Sequence, residues 1–423
     1  MMERYREYKE SGVKWLGEIP SHWEVVPLRK YLKINTRRNM PEAQLLSVTR
    51  EEGVIVRNVE SKEENHNYIP DDLSNYKYVQ RGQFVINKMK SWQGSYGVSN
   101  YDGIVSPAYF VYDLNYPNKD YFNIAIRSKI FSPFFSKYSK GIRVDQWDLT
   151  PEALKIIPFL EPPKAEQDAI VRYLDSATSE IDKAIAMQQK MIDLLNERKQ
   201  IIIQNAVTKG LDENVEMKES GVEWIGRIPK HWEVNPLRKY LKVCSKRNMP
   251  DAQLLSVTRE EGVIIRNIES KEENHNYIPD DLSNYKYVQK GQFVINKMKS
   301  WQGSYGVSNY DGIVSPAYFV YDLMYYNKEY FSLAIRSKKF SPFFSKYSKG
   351  IRIDQWDLMP EALKIIPFLE PPVEEQNAIV HFLKDIIPRI NDNITNCQRQ
   401  ITLLQERKQI IINEVVTGKV RVS

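Results

Sequence analysis

The decapeptide KMKSWQGSYG occupies residues 88–97 of this chain and returns, without any change, at residues 297–306. Its surroundings repeat with it at a constant offset of 209 residues. Between residues 40–114 and residues 249–323, only four of 75 positions differ, and all four exchanges keep charge or shape. A repeat of this length is far longer than the units of solenoid proteins, so the sequence predicts two domains of one fold. A duplication without functional meaning would leave the same match.

Each copy ends in a Pro-Pro pair, and a long run with a heptad pattern of apolar residues follows it. The seam consists of Ile170, Leu174, Ala177, Ile181, Ala184, Gln188, Met191, Leu195 and Ile202 in the first run and Ile379, Leu383, Ile386, Ile390, Asn393, Cys397, Gln400, Leu404 and Ile411 in the second. A lone helix would leave this seam in water, so we predict that the two helices pair antiparallel. The polar seam residues Gln188, Asn393 and Gln400 are interpreted as setting the register. A generic helical hairpin without a spacing role is the alternative.

Within each copy, short runs rich in β-branched and aromatic residues alternate with Gly, Asn, Asp and Pro. The runs QLLSVT (44–49), GQFVINK (82–88) and GIVSPAYFVYDL (103–114) favour strands, and residues 121–141 favour a helix. The predicted fold class is therefore α+β, with two near-identical mixed α/β domains joined by two long antiparallel coiled-coil helices. We place the first domain at 1–163, the first helix at 164–209, the second domain at 210–372 and the second helix at 373–423.

Composition and motif searches narrow the function. A net charge of +6 permits an anionic partner without requiring one. Two cysteines, an N-terminus without an apolar signal core and no long apolar run lead us to expect a cytoplasmic protein without a membrane segment. The scattered histidines and cysteines predict no metal site. Phosphate-loop and HExxH sequences are absent, and the Pro-Pro pairs lack the Asn/Asp-Pro-Pro-aromatic corner of adenine methyltransferases. We therefore predict no catalytic residues.

One pattern resembles the carboxylate-lysine constellation of metal-dependent nucleases. Pro250-Asp251 is followed at a distance by Glu269-Ser270-Lys271, and the first copy has Pro41-Glu42 and Glu60-Ser61-Lys62. Three common residues at loose spacing arise easily by chance. An autonomous Mg²⁺-dependent nuclease is therefore kept only as an alternative.

The decapeptide is interpreted as a DNA-binding surface. Lys88 and Lys90 alternate along a predicted strand and could face phosphates, Trp92 offers a flat stacking surface, and Gln93 could bond adenine bidentately. With further basic or amide-rich stretches, the candidate DNA-binding residues are Arg37, Arg38, Arg50, Lys88, Lys90, Trp92, Gln93, Ser95, Arg143 and Gln146, and in the second copy Arg247, Arg259, Lys297, Lys299, Trp301, Gln302, Ser304, Arg352 and Gln355. The alternative is that the tryptophans are core residues and the lysines a solvated face.

Taken together, these segments resemble the specificity (S) subunit of type I restriction-modification systems. The resemblance covers essentially the whole chain. It is carried by YKESGVKWLGEIPSHWEVVPLRKYL (8–32) and MKESGVEWIGRIPKHWEVNPLRKYL (217–241), by INKMKSWQGSYGVSNYDGIVSPAYFVY (86–112 and 295–321), and by the helix ends LLNERKQIIIQNAVTKG (194–210) and LLQERKQIIINEVVTGK (403–419).

In that family, two target-recognition domains each bind half of a bipartite DNA site, and two helices set the spacer and dock other subunits. The resemblance implies a non-catalytic chain whose partners are double-stranded DNA, two modification (methyltransferase) subunits and restriction (translocase/endonuclease) subunits. It implies no membrane and no cofactor in this chain, since S-adenosylmethionine, ATP and Mg²⁺ are expected in the partner subunits.

The near identity of the two domains departs from the family, whose members typically carry unlike ones. Antiparallel helices would relate the two domains by a pseudo-two-fold axis, so equal domains should read equal half-sites on opposite strands. We therefore predict an interrupted inverted repeat as the target. A purely structural coiled-coil scaffold is the remaining alternative.

Overall fold

The chain forms two compact units in the computed structural model, which describes residues 3–59, 69–140, 148–267, 278–352 and 355–422. The first unit comprises Met1–Gln189 and Arg399–Ser423, and the second comprises Lys190–Gln398. Each unit therefore holds one copy of the repeat, hereafter a module, together with a part of each long helix. The prediction divided the chain into four consecutive segments, with each long helix as a segment of its own. In the structure, each long helix contributes residues to both units.

The elements of the first copy recur in the second in the same order. The first set is β1 (Tyr8–Glu10), β2 (Glu18–Pro20), β3 (Glu24–Pro27), β4 (Leu32–Asn35), β5 (Leu46–Thr49), β6 (Gly53–Val56), β7 (Lys77–Val79), β8 (Phe84–Asn87), β9 (Tyr96–Val98), β10 (Gly103–Val105), β11 (Tyr109–Leu114), α1 (Lys119–Arg127), α2 (Ser132–Tyr138), β12 (Ser139–Lys140), β13 (Asp148–Leu149), α3 (Pro151–Lys155), β14 (Pro158–Glu161) and α4 (Lys164–Lys209).

The second set is β15 (Met217–Glu219), β16 (Arg227–Pro229), β17 (Glu233–Pro236), β18 (Leu241–Cys244), β19 (Leu255–Thr258), β20 (Gly262–Ile265), β21 (Lys286–Val288), β22 (Phe293–Asn296), β23 (Tyr305–Val307), β24 (Gly312–Val314), β25 (Tyr318–Leu323), α5 (Lys328–Ile335), α6 (Ser341–Tyr347), β26 (Ser348–Arg352), β27 (Gln355–Leu358), α7 (Pro360–Ile365), β28 (Pro367–Glu370) and α8 (Val373–Val416). The α+β class, with two mixed modules and two long helices, is confirmed. The predicted helix at 121–141 is two helices in the structure, α1 and α2.

A four-stranded antiparallel sheet lies at the centre of each module, in the order β4-β11-β8-β9 and β18-β25-β22-β23. Strand β8 pairs with β11 on one side and with β9 on the other. Smaller pairs, β5 with β6 and β7 with β10, flank the sheet. The decapeptide therefore connects β8 to the edge strand β9 and continues into it.

All four residues of β8 are buried. Because successive residues of a strand point to opposite sides, both faces of the sheet are covered at β8. Phe84 belongs to the large aromatic core with Phe122 and Phe159, and its ring centroid lies 5.5 Å from that of Phe122. Val85 belongs to a smaller valine-rich cluster beneath the other face. A strand buried on both faces holds the start of the decapeptide in a fixed position.

The first turn of α4 is anchored to its module by one carboxylate. The hydroxyl of Tyr5 and the indole N–H of Trp23 donate to Glu166 Oε2 at 2.7 and 2.9 Å, and His22 Nε2 lies 2.6 Å from Oε1. Burial opposes the ionisation of Glu166, but these three hydrogen bonds outweigh it and lower its pKa. The carboxylate thus fixes the orientation in which the helix leaves the module.

The second copy has the same anchor with one contact fewer. Trp232 Nε1 donates to Glu375 at 2.8 Å and His231 bonds the same carboxylate. Asn214 stands where the repeat would place a second Tyr5. The carboxylate of Glu166 therefore accepts three side-chain contacts, and that of Glu375 accepts two.

Within each unit the two long helices run antiparallel. In the first unit, Ile170 and Leu174 share a core with Val415 and Val416. Further along, Lys408 Nζ lies 2.7 Å from the carboxylate of Asp182. In the second unit, the ends of α4 and the start of α8 meet in the same way, through Ala206, Val207, Ile379 and Leu383. Within each unit, residues that come later in α4 contact residues that come earlier in α8. The predicted antiparallel pairing is confirmed.

The predicted seam is wrong by one residue near the middle of both helices. Met191 is 48% exposed, whereas its neighbour Ile192 is 7% exposed. Asn393 and Gln400 are also exposed, and the half-buried Ile394 and Ile401 follow them in the chain. The hypothesis that these two amides set the register is therefore wrong. A heptad pattern with steps of three and four residues fits two neighbouring faces of each helix. The face that packs against the other helix is the one that leaves the amide side chains in water.

Among the described residues, no helix combines the length and the apolar character that crossing a membrane requires.

Helix α8 continues through Pro388.

Candidate nucleic-acid interface

The decapeptide is a hydrogen-bonded turn rather than a continuous strand. Strand β8 ends at Asn87, whose side-chain oxygen accepts from the backbone N–H of Met89 at 3.2 Å. Ser91–Gln93 forms a 3₁₀ turn that ends at Gly94, where φ is 99°. That left-handed conformation suits glycine and disfavours other residues. The prediction that the two lysines alternate along a strand is wrong, because strand pairing stops where these turn bonds begin.

The turn sorts the predicted side chains by exposure. Lys90 and Gln93 are exposed, and Lys88 and Trp92 are half-buried. The second copy matches, except that Gln302 is half-buried. Ser95 and Ser304 are buried, each with 3% of its surface exposed, so a contact of these hydroxyls with DNA stays a prediction.

A set of basic and aromatic side chains gathers beside the start of the decapeptide. This basic-aromatic cluster consists of Arg37, Arg38, Lys77, Tyr78, Lys88 and Phe110. The Arg37 guanidinium carbon lies 4.8 Å from the centroid of the Tyr78 ring. Lys77 Nζ and Lys88 Nζ lie 5.3 and 5.9 Å from the centroid of one ring, that of Phe110. Such distances are in the range of cation–π attraction.

The second module builds the same cluster from Lys246, Arg247, Lys286, Tyr287, Lys297 and Phe319. Lys246 Nζ lies 4.8 Å from the Tyr287 centroid, and Lys286 Nζ lies 5.6 Å from that of Phe319. Lys246 replaces Arg37 and keeps both the charge and the stacking contact. The sequence prediction contained Arg37, Arg38 and Lys88, and the structure brings them together around residues that the sequence did not single out.

Lys88 is held by an ion pair within its own module. Its Nζ lies 2.9 Å from Asp148 Oδ2, and the two side chains are 30% and 48% exposed. An ion pair as accessible as this contributes little to stability, because water and salt screen it. An incoming phosphate can therefore compete with Asp148 for the ammonium group.

A second part of the surface joins two segments that the sequence prediction kept separate. Arg50 lies on the turn between β5 and β6, and a Cβ atom at Gly94 would lie 3.9 Å from its Cγ. In the second copy the distance between Arg259 Cγ and a Cβ at Gly303 would be 3.8 Å. The predicted Arg50 therefore sits directly beside the decapeptide turn.

Arg127, on α1, holds this junction together. Its guanidinium donates to the carbonyl oxygens of Tyr96, Arg50 and Glu51 at 2.5, 3.2 and 2.8 Å. Gly53 has a φ of 79°, a left-handed conformation that favours glycine, and a Cβ there would lie 2.7 Å from Arg127 Nη1. Burial lowers the pKa of Arg127. No sequence pattern predicts this role, because an arginine on an amphipathic helix is ordinarily a solvated residue.

The second module repeats the arrangement closely. Arg336 donates to the carbonyls of Tyr305, Arg259 and Glu260 at 2.7, 3.1 and 2.6 Å. The three-carbonyl contact of this half-buried arginine is therefore present in both modules.

Some predicted residues cannot be placed. Arg143 and Gln146 lie outside the described residues, as do the nuclease-like triplets Glu60-Ser61-Lys62 and Glu269-Ser270-Lys271; for Arg352 and Gln355 only the backbone, in β26 and β27, is described. Across the described ranges, no group of three or more His, Cys, Asp or Glu side chains is arranged to hold a metal ion.

Comparison with known proteins gives end-to-end matches. No protein-family model matches the chain. The "Putative type I restriction enzyme MjaX specificity subunit" of Methanocaldococcus jannaschii is 25% identical over 98% of both chains. The "Type I restriction enzyme MjaVIII specificity subunit" of the same organism is 24% identical over 98% of this chain and 97% of its own. Along nearly its whole length, the chain is therefore similar to type I restriction enzyme specificity subunits.

The fold agrees with that similarity. A solved chain described as "Structural basis underlying complex assembly and conformational transition of the type I R-M system" superposes with a TM-score of 0.63. It covers 94% of this chain and 98% of its own length at 12% identity. At such low identity the match supports the shared fold and does not transfer the role of any single residue. The resemblance to type I specificity subunits is confirmed.

Proposed function

We propose that this chain is the DNA-recognition subunit of a type I restriction-modification complex and is itself non-catalytic. The observation that carries the proposal is the pair of matching basic-aromatic clusters, one in each module of a specificity-subunit homologue. Each cluster lies beside an exposed, hydrogen-bonded turn that carries a lysine and a glutamine. This combination suits a polyanion whose base edges are read at the same time.

The two parts of the surface would divide the work of recognition. Arg37, Arg38 and Lys88 would neutralise backbone phosphates, which positions the module without reading sequence. Gln93 and Lys90 would project from the rigid turn toward base edges, where an amide can discriminate adenine and an ammonium guanine. Arg50 beside the same turn would extend the contact. Because the turn is fixed by backbone bonds, little ordering would be needed on binding.

The near identity of the modules supports a symmetrical target. The decapeptide is unchanged between copies, and the one exchange within the cluster, Arg37 to Lys246, keeps its charge and ring contact. The two modules should therefore prefer the same bases. With the antiparallel helices acting as a spacer, the target would be an interrupted inverted repeat with one half-site per module.

The helices would also dock the modification subunits. Leu194 and Ile201 on α4, and their repeats Leu403 and Ile410 on α8, are each between 50% and 55% exposed. Residues seven apart lie on one helix face, so each pair forms a short apolar stripe. Apolar stripes on an exposed helix favour a protein partner. Two equal stripes fit two modification subunits, with restriction subunits joining the assembly.

In this scheme the chain holds no cofactor of its own. S-adenosylmethionine, ATP and Mg²⁺ would be bound by the modification and restriction subunits, and the complex would act in the cytoplasm.

Paired substitutions in both modules separate phosphate contact from base reading. Lys88→Ala with Lys297→Ala is expected to weaken binding to every duplex and to reduce the slope of log affinity against log salt by about two. Gln93→Ala with Gln302→Ala should cost about 1–3 kcal/mol per half-site on the target and little on unrelated duplexes. Fluorescence anisotropy over a salt series, on the chain with its modification subunits, measures both quantities.

The matched control is Lys129→Ala with Lys338→Ala, which removes the same charge from exposed lysines of both modules that lie outside the cluster. If the control and the decapeptide variants bind DNA alike, the decapeptide is structural and the proposed reading surface is wrong. A wild-type chain that binds no duplex would refute the proposed function as a whole.

A further inference from the structure

We infer that each module contains a preformed site for one DNA backbone phosphate, built from Arg38, Lys77 and Lys88 around the Phe110 ring. In the second module the site is built from Arg247, Lys286 and Lys297 around Phe319. The inference rests on the proposed function and adds a specific phosphate site to it, centred on a lysine that the sequence did not single out.

The geometry places three cationic side chains in one small region. Arg38 faces Lys77 across an antiparallel bridge between their backbones. Lys77 and Lys88 both place their ammonium groups within 6 Å of the Phe110 centroid, at 5.3 and 5.9 Å. The negative face of one ring therefore serves two cations, and it can balance only a small part of their charge.

The buried lysine lacks a full counter-charge within the described part of its module. Lys77 is 9% exposed, and its ammonium donates to the backbone carbonyl of Tyr109, a neutral acceptor. Lys286 donates to the Tyr318 carbonyl in the same way. Burial lowers the pKa of Lys77, and repulsion from Arg38 and Lys88 lowers it further. Lys286 shows the same direction, with Arg247 and Lys297 as its cationic neighbours.

This electrostatic imbalance favours an anion as the missing partner. Asp148 balances the cluster only through Lys88, by a half-exposed pair that a phosphate can displace. A phosphodiester carries a full charge on oxygens that can accept from arginine and from both ammonium groups at once. A lysine that served only to tie β7 to β11 through the Tyr109 carbonyl would not require two further cations beside it. Since both modules keep the site, both half-sites should contribute the same sequence-independent contact.

Methionine in place of the buried lysine tests the site, because it keeps an unbranched stem and removes the charge. We expect Lys77→Met with Lys286→Met to weaken binding to target and non-target duplexes by the same factor, about tenfold, and to reduce the salt slope by up to about two, which corresponds to loss of one phosphate contact per module. Base preference should not change. The control is Lys129→Met with Lys338→Met, which should leave the slope as it is.

The salt slope decides between the phosphate site and a structural lysine. An unchanged salt slope, even with weaker binding or a lower melting temperature, would overturn the inference. If the methionine variant does not fold, Arg38→Gln with Arg247→Gln applies the same test at exposed positions. A wild type that binds no DNA would refute the proposed function instead, and that failure is recognisable because it does not depend on any substitution.

Inorganic phosphate distinguishes a DNA phosphate from a free anion. We expect phosphate to stabilise the wild type only weakly at the ionic strength of a chloride control, because a single free anion lacks the neighbouring contacts of a duplex. Strong stabilisation by phosphate that disappears in Lys77→Met, together with an unchanged DNA salt slope, would assign the site to a free anion and contradict the DNA assignment.

Discussion

Deleting one heptad from each long helix, residues 187–193 and 396–402, is expected to shift the preferred target to a spacer about three base pairs shorter. Seven residues correspond to about 10 Å of helix, and stacked base pairs are about 3.4 Å apart. A seven-residue deletion turns the helix faces by only about 20°, so the seam can re-form. Both segments span a boundary between the compact units, where neither module core is touched.

The expected loss on the original spacing is large. If only one module can engage its half-site, the contacts of the other are lost, which costs on the order of 4 kcal/mol or about a thousandfold in affinity. Selection of bound duplexes from a pool with randomised spacers measures the new preference directly. A two-residue deletion in both helices is the control, because it turns the helix faces by about 160° and so breaks the seam. Retention of the original spacer by the heptad variant would rule out the helices as a ruler.

Replacing Glu166 by glutamine is expected to destabilise the first unit by about 2 kcal/mol at neutral pH. The substitution removes the charge that accepts from Tyr5, Trp23 and His22, and it leaves the indole N–H of the fully buried Trp23 without a carboxylate partner. Glu375→Gln provides the matched comparison, since that anchor lacks the tyrosine contact. We expect its effect to be smaller, about 1 kcal/mol.

The pH dependence of this difference follows from the direction of the pKa shift. The pKa of Glu166 is lower in the folded chain than its ordinary value of 4.5, because its hydrogen bonds outweigh burial. A carboxyl with a lowered pKa adds stability above its unfolded pKa and loses it as pH falls through the folded pKa. The difference in the free energy of unfolding between wild type and Glu166→Gln should therefore be largest at pH 7 and should disappear below about pH 4. Amide hydrogen exchange resolves the two units, and a gap that widened on acidification would contradict this assignment.

The sequence predicted those features that depend on patterns along the chain. The repeat gave two modules, the Pro-Pro pairs marked where α4 and α8 begin, and strand composition located β5, β8 and β11. The seam was placed one residue off at Met191 because steps of three and four fit two neighbouring phases equally well. Only the three-dimensional packing, which buries Ile192, distinguishes them.

The candidate site was harder to predict because its members meet through sheet pairing. Lys77 and Phe110 are 33 residues apart, and no spacing rule connects them. Arg127 reaches the turn at Arg50 only after α1 has packed beside β9. The decapeptide itself was identified, but its local shape was not, since the side-chain bond from Asn87 ends the strand that alternation would have continued.

Mapping the methylated sites in cells that carry this chain with its modification subunit tests the central claim most directly. Two near-identical modules on antiparallel helices predict one interrupted inverted repeat, with equal half-sites on opposite strands and a constant unread spacer. Single-module variants sharpen the test, since Gln93→Ala alone should relax one half-site and leave the other intact. Two unlike half-sites in the wild type would contradict the claim that both modules read the same sequence.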